Sequence, residues 1–214
     1  EPDTSVEKRN HGPTGDQLEK EIDPERQELE EWYTSASLLE DRAEELRKRE
    51  LVLLAQKPEP QHDSNLPDLS IDEVSGEIDR VRREAAMLYE RCVERDSDYC
   101  GGNAAYNLGG IYQDLGQDDQ AAVLYEKAIR SASAVMEQRR GESHKTNSAD
   151  ADSAMDYGCL PSAHYNLGIL HDSAGRFSEA IKAYETALIF VSEWPEARHN
   201  LMLARKELFA SHTK

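Results

Sequence analysis

The sequence predicts an all-α protein: a short solenoid of helical hairpins, with a long helix on its N-terminal side and a capping helix at its C-terminal side. Three observations carry that prediction. The pattern Tyr106-Asn107-Leu108-Gly109 returns as Tyr165-Asn166-Leu167-Gly168, and self-similarity at a fixed period marks supersecondary units stacked side by side. Ile71, Val74, Ile78, Val81, Ala85, Leu88 and Cys92 recur at spacings of three and four, which puts them on one face of a helix. Trp32, Leu39, Leu46 and Leu53 recur every seven residues, with Ala36 and Ala43 between them, a narrow stripe on a second helix.

Residues 1–16 are rich in Pro, Gly, Asp and Thr without apolar periodicity and read as a solvated tail. Residues 17–57 read as the long amphipathic helix. Its start signal is Asp23-Pro24-Glu25, an N-cap followed by proline at the first helical position. The stripe of Trp32, Leu39, Leu46 and Leu53 needs a partner surface: the end of the helical array, which this helix would seal or extend, another chain or a second copy. Lys57-Pro58-Glu59-Pro60 ends the helix, and residues 58–69 form a linker. Ser70-Ile71-Asp72-Glu73 is a capping box that opens a further long helix within 70–101.

The repeat then occupies 102–133 and 161–194. Tyr106-Asn107-Leu108-Gly109, Gly116, Ala121, Tyr125 and Ala128 match Tyr165-Asn166-Leu167-Gly168, Gly175, Ala180, Tyr184 and Ala187, each pair 59 residues apart. This offset is one 34-residue unit plus a 25-residue insertion. Asn200-Leu201 opens a partial third copy, 34 residues after Asn166-Leu167, and residues 195–214 read as a capping helix. Insertion 134–160 begins with Ala134–Gln138, which can prolong the preceding helix. The polar stretch 141–156 reads as a surface loop, with Ser143, Thr146, Ser148 and Ser153 as candidate modification or contact positions.

These positions resemble the tetratricopeptide repeat, W-x2-L-G-x2-Y followed by A-x3-F and a closing proline. Leu108, Gly109, Tyr112, Ala121 and Tyr125 match it; the tryptophan position holds Ala105 or His164, and the second aromatic becomes His171. Leu108, Gly109, Ala121 and Tyr125, and likewise Leu167, Gly168, Ala180 and Tyr184, are then the packing residues where the two helices of a repeat cross. Ala85, Tyr89 and Cys92 share the spacing of Ala121, Tyr125 and Ala128, so helix 70–96 resembles the second helix of a degenerate repeat.

The resemblance implies a protein–protein interaction module, an adaptor, scaffold or assembly factor whose concave groove holds a partner peptide or helix. Carried over by position, the groove presents Tyr106, Asn107, Gly110, Gln113 and Asp114, then Tyr165, Asn166, Ile169, Asp172 and Ser173. His199, Asn200 and Lys206 follow. Asn107, Asn166 and Asn200 stand out because an amide both donates to and accepts from a peptide backbone; bonding within the array is their alternative use. Of the basic clamp by which one subclass grips heat-shock chaperones, only Asn107 is present, so a co-chaperone role is the weaker expectation. A permanent structural subunit docked through the long helix is the alternative.

Composition narrows the classes. The chain has 214 residues, with 43 acidic against 25 basic and a formal net charge of −18. That balance disfavours nucleic acid and anionic lipid surfaces and favours a partner with basic or apolar anchors. The longest apolar runs, Leu51–Ala55 and Ala187–Val191, are far too short to span a bilayer. Cys92, Cys100 and Cys159 lack CxxC spacing and read as reduced thiols of an intracellular, most simply cytoplasmic, protein. Cys159, His164 and His171 do not share a helical face, so no metal and no cofactor is expected. G-x-S-x-G, HExxH, P-loop and GxGxxG motifs are absent, and no enzymatic activity is expected.

Overall fold

A computed structural model describes residues 23–55, 70–96, 99–146 and 157–212. The expected tail 1–16 and linker 58–69 lie outside them, as do Ser148 and Ser153. Seven α-helices follow in order among the described residues: α1 (Pro24–Ala55), α2 (Ile71–Arg95), α3 (Asn103–Asp114), α4 (Asp118–Thr146), α5 (Leu160–Ser173), α6 (Phe177–Phe190) and α7 (Pro195–His212). A 3-10 turn at Tyr99–Gly102 leads into α3. The result is an all-α solenoid of three hairpins, α1–α2, α3–α4 and α5–α6, closed by α7 against α6 and α5.

Local chemistry explains where the helices begin and end. The Asp23 carboxylate accepts from the Glu25 amide at 3.1 Å, and Pro24 spends no needed donor at the first helical position. At Ser70 the box closes both ways: the Glu73 amide donates to the serine hydroxyl at 3.3 Å, and the Ser70 amide donates to the Glu73 carboxylate at 2.7 Å. Helices α3 and α5 stop by the same device. Gly116 and Gly175 both take φ +71°, a left-handed turn that glycine enters without a Cβ penalty. The Gln117 amide donates back to the Tyr112 carbonyl and the Arg176 amide to the His171 carbonyl, both at 2.8 Å, which completes a Schellman motif in each repeat.

Helix α4 differs from the expectation. A loop was expected over 141–156, whereas α4 runs unbroken to Thr146. Residues 134–140 contain no breaker and are rich in helix formers, and one glycine at 141 lowers helix propensity by only about 1 kcal/mol.

The stripe on α1 is covered within the chain. Helix α2 runs antiparallel to α1, with Arg95 facing Glu25 and Glu28 at one end and Val74 and Ile78 packed with Ala43 and Leu46 at the other. Leu39 and Leu53 pack on that same layer. Trp32 packs on the main core beneath the Arg91 guanidinium, 5.3 Å from its ring. The surface that this stripe requires is therefore supplied within the chain, by α2 from Leu39 onward and by the main core at Trp32. Because α1 outruns α3 and α5, this layer projects as an antiparallel two-helix extension.

Beyond it, small residues let the hairpins close. Ala36, Ala85, Ala105, Ala121, Ala180 and Ala204 have no exposed surface. A Cβ on Gly109 would meet the Tyr125 ring at 2.8 Å, and one on Gly168 would meet the Tyr184 ring at 2.6 Å. Leu108 is buried, while Leu167 is half-buried against Ala121, Tyr125 and Leu170. In α7 the position of Gly168 is held by Met202, which is 59% exposed, so the face on which a further second helix would lie is open.

Candidate functional site

The first helices α1, α3, α5 and α7 line one side of the solenoid, and a regular polar ladder ties them to the second helices. Tyr89, Tyr125 and Tyr184, one from each second helix, are fully buried. Each packs its ring against a tyrosine of its own first helix: Tyr33 on Tyr89 at 5.6 Å, Tyr106 on Tyr125 at 5.8 Å and Tyr165 on Tyr184 at 5.8 Å. The Tyr89 hydroxyl donates to the Glu40 carboxylate at 2.6 Å and accepts from the Asn107 amide at 3.0 Å. The Tyr125 hydroxyl donates to the Gln113 carbonyl at 2.7 Å and accepts from the Asn166 amide at 3.2 Å. The third rung differs. Asn200 donates to Tyr165 at 3.1 Å, and the Tyr184 hydroxyl is the one buried side-chain polar atom among the described residues without a hydrogen-bond partner.

The ladder places the groove residues. The amides of Asn107, Asn166 and Asn200 are used inside the array, Asn107 reaching the Tyr33 hydroxyl at 3.5 Å as well as Tyr89. Gln113, Asp114, Tyr125 and Asn166 come together with Gly110 in a cleft of about 550 Å³, whose other wall is Ser37, Glu40, Asp41 and Glu44 of α1 with Arg82 of α2. Tyr106 and Asn107 lie behind this cleft, in the packing between rungs. Tyr165 and Ile169 belong to the apolar contact with α6 and α7, Tyr165 also lying 4.6 Å from the Trp194 ring. Asp172 is half-buried on α5, His199 and Lys206 are exposed on α7, and the Ser173 hydroxyl donates to its own helix at Leu170.

Carboxylates dominate the cleft. Arg82, whose side chain is only 15% exposed, donates to Asp114 at 2.7 Å, so its charge is already matched. Arg47 also faces Asp114, at 3.8 Å, and Glu40, Asp41 and Glu44 add three acids, of which Glu44 pairs with Lys48 at 3.6 Å. Burial raises the Glu40 carboxyl above the usual range, with Asp41 and Asp114 adding to it, against the Tyr89 hydrogen bond and Arg82. Burial and Glu207 raise Asp172 in the same direction. Negative charge partly removed from water is stabilised by an incoming cation more than an exposed acid is.

The remaining reactive side chains are occupied or inert. Burial pushes the Cys92 and Cys159 thiols up to about 11, so both stay protonated near neutrality. His164 lies parallel to Phe190 at 6.2 Å, and the His171 Nδ1 accepts from Arg176 at 3.0 Å. Among the described residues no group of three or more His, Cys, Asp or Glu is arranged to hold a metal ion, and no helix is long and apolar enough to cross a membrane.

The α1 wall was missed by sequence reasoning, although a signal existed. Trp32-Tyr33, Ala36 and Leu39-Glu40 align with Ala105-Tyr106, Gly109 and Tyr112-Gln113, and the tyrosine pairs and ladder acceptors superimpose in just that register. Helix α1 is thus the first helix of an initial repeat whose second helix is α2.

Tetratricopeptide-repeat family models match residues 102–134 and residues 161–191. The chain carries two tetratricopeptide repeats. Solved structures that the chain matches include MamA (AMB-1), 15% identical over 86% of this chain and 82% of that one with a TM-score of 0.42. Another is a Podosopora anserina putative kinesin light chain with nearly identical tetratricopeptide-like repeats, 16% identical over 90% of this chain and 91% of that one with a TM-score of 0.43. No curated protein matches the chain in sequence. Tetratricopeptide arrays are interaction scaffolds, and the α1–α2 hairpin adds a repeat of the same build outside the matched residues.

Proposed function

We propose that this interaction module holds a basic segment of a partner polypeptide on its concave face, without catalysing a reaction. The observation that supports the reading most is the cleft between α1, α3 and α5: Glu40, Asp41, Glu44 and Asp114 line it, and its arginine is already paired. A lysine or arginine side chain entering there meets Glu40 and Asp41, which are in no ion pair among the described residues, and competes with Lys48 for Glu44, while Gln113 at the floor offers the peptide backbone donors beyond its ladder contact. The groove is preformed by the stacked repeats, so little ordering is needed on binding. A permanent-subunit role through the α1 stripe is less favoured, because the chain itself covers that stripe.

The test uses a fluorescein-labelled peptide of alternating lysine and alanine, with a glutamate–alanine peptide as counterpart, at near-physiological salt. Asp41 and Glu44 are exposed, so Asp41→Lys combined with Glu44→Lys leaves the fold intact. Anisotropy titration should show saturable binding of the lysine peptide, weakened at least tenfold, about 1.4 kcal/mol, in the double variant. Reversal of the distant Glu137 should change it little. Equal binding by both proteins, or by both peptides, would overturn the reading.

A further inference from the structure

A second concavity, of about 490 Å³, lies on the outer face where the second helices α2 and α4 meet above α3. Its floor is apolar: Val93 and Leu108 are 8% and 2% exposed, with Tyr112 and Leu124 partly buried beside them. Val123 stands in its wall at 62% exposure. Its rim carries Glu90, Glu94 and Asp119; the Tyr112 hydroxyl donates to Glu90, and the Lys127 ammonium reaches the Val93 carbonyl at 3.5 Å.

The next junction of the same solenoid acts as an internal control. Shifted by one repeat, Val123 becomes Lys182, Leu124 becomes Ala183, Tyr112 becomes His171 and Glu94 becomes Arg130. The hairpin closes there with a lysine at that seat, so folding does not demand valine at 123. Apolar surface kept in water without a structural need points to a docking face.

We infer that this concavity binds an amphipathic helix of a partner protein, one that presents apolar side chains flanked by lysine or arginine. Charge and geometry select that occupant. An acidic rim around an apolar floor complements apolar anchors with basic flanks, whereas a second copy of this chain brings a net charge of −18 against the same rim. Met87 holds on α2 the seat that Val123 holds on α4, 36 positions on, and is 56% exposed. Packed helices lie ~8–10 Å apart, and residues seven apart on a helix are separated by about 10.5 Å. A helix laid across α2 and α4 therefore sets one apolar residue on Met87, a second on Val123 and one between them over Val93 and Leu108. With the concave cleft on the other side, the module joins two partners.

The test employs a labelled 18-residue helical peptide with leucines spaced three and four apart and lysines elsewhere, beside a control with serine for leucine. Val123→Gln removes the apolar contact without altering charge at an exposed position, so helix content and thermal midpoint should match wild type. Saturable binding of the leucine peptide is expected, at least tenfold weaker for Val123→Gln and unchanged for Asp41→Lys with Glu44→Lys. Binding indifferent to Val123→Gln, or equal binding of the serine control, would overturn the inference. So would a wild-type dimer in sedimentation that Val123→Gln dissociates, since it would make a second copy the occupant.

Discussion

Replacing Gly168 with alanine should destabilise the protein by about 1–3 kcal/mol, the range for overpacking a filled interior. Intrinsic helix propensity argues the other way, since alanine is favoured over glycine by ~1 kcal/mol in a helix. The contact decides. A Cβ at 168 would lie 2.6 Å from Cε1 and 2.7 Å from Cδ1 of Tyr184, a ring with no exposed surface and therefore no free volume to enter. Gly109→Ala meets Tyr125 at 2.8 Å and should act in the same direction. Gly76, also within a helix, has nothing within 4 Å of its would-be Cβ, so Gly76→Ala should gain up to ~1 kcal/mol. Urea midpoints followed by helix content would compare the three. A Gly168→Ala protein as stable as Gly76→Ala would mean that close packing does not set the hairpin geometry.

Those glycines are also why half of the fold could be read directly. A repeat that crosses its helices at a glycine must keep Leu-Gly and the facing Ala and Tyr in fixed register, so 106–128 and 165–187 announce each other at one offset. The initial hairpin lost the signal because its crossing residue is Ala36, its ladder acceptor is Glu40, and α1, at 32 residues, continues well past the 12 and 14 of α3 and α5. Heptad spacing of Trp32, Leu39, Leu46 and Leu53 then looked like a seam for an outside partner. Physically the stripe serves two layers, the solenoid core at Trp32 and the two-helix extension from Leu39 onward, and one stripe cannot show which surface covers it. The groove was legible in part for a related reason. Position along the repeat located Gln113, Asp114 and Asn166, but the acids opposite them come from α1 and depend on a pairing between helices that residue spacing alone does not encode.

Truncating the ladder tyrosines to phenylalanine should separate rungs by their hydrogen bonds alone. Tyr125→Phe takes the hydroxyl from the partly buried Gln113 and Asn166, of which Asn166 keeps its contact with Tyr106, and should cost about 1–3 kcal/mol. Tyr89→Phe strips the Glu40 carboxylate of its donor and leaves Asn107 only the longer contact to Tyr33 at 3.5 Å, and hydrogen bonds to charged groups are the stronger kind, so this variant should fall at the upper end of the range. Tyr184→Phe should cost least of the three, because the buried hydroxyl it removes has no acceptor and the nearby Asn200 amide keeps its bond to Tyr165. The reason lies one residue type away: Asp172 occupies the position of Gln113 but is one methylene shorter, and it leaves the third hydroxyl without the acceptor that the second enjoys. Asp172→Gln should supply that acceptor and raise stability by roughly 0.5–1.5 kcal/mol, the net worth of one hydrogen bond. The gain must vanish in the Tyr184→Phe background. A double-mutant cycle on 172 and 184 measures that coupling directly. A gain that survives without the hydroxyl would show that glutamine acts at 172 by relieving the electrostatic repulsion with Glu207 rather than by completing the rung.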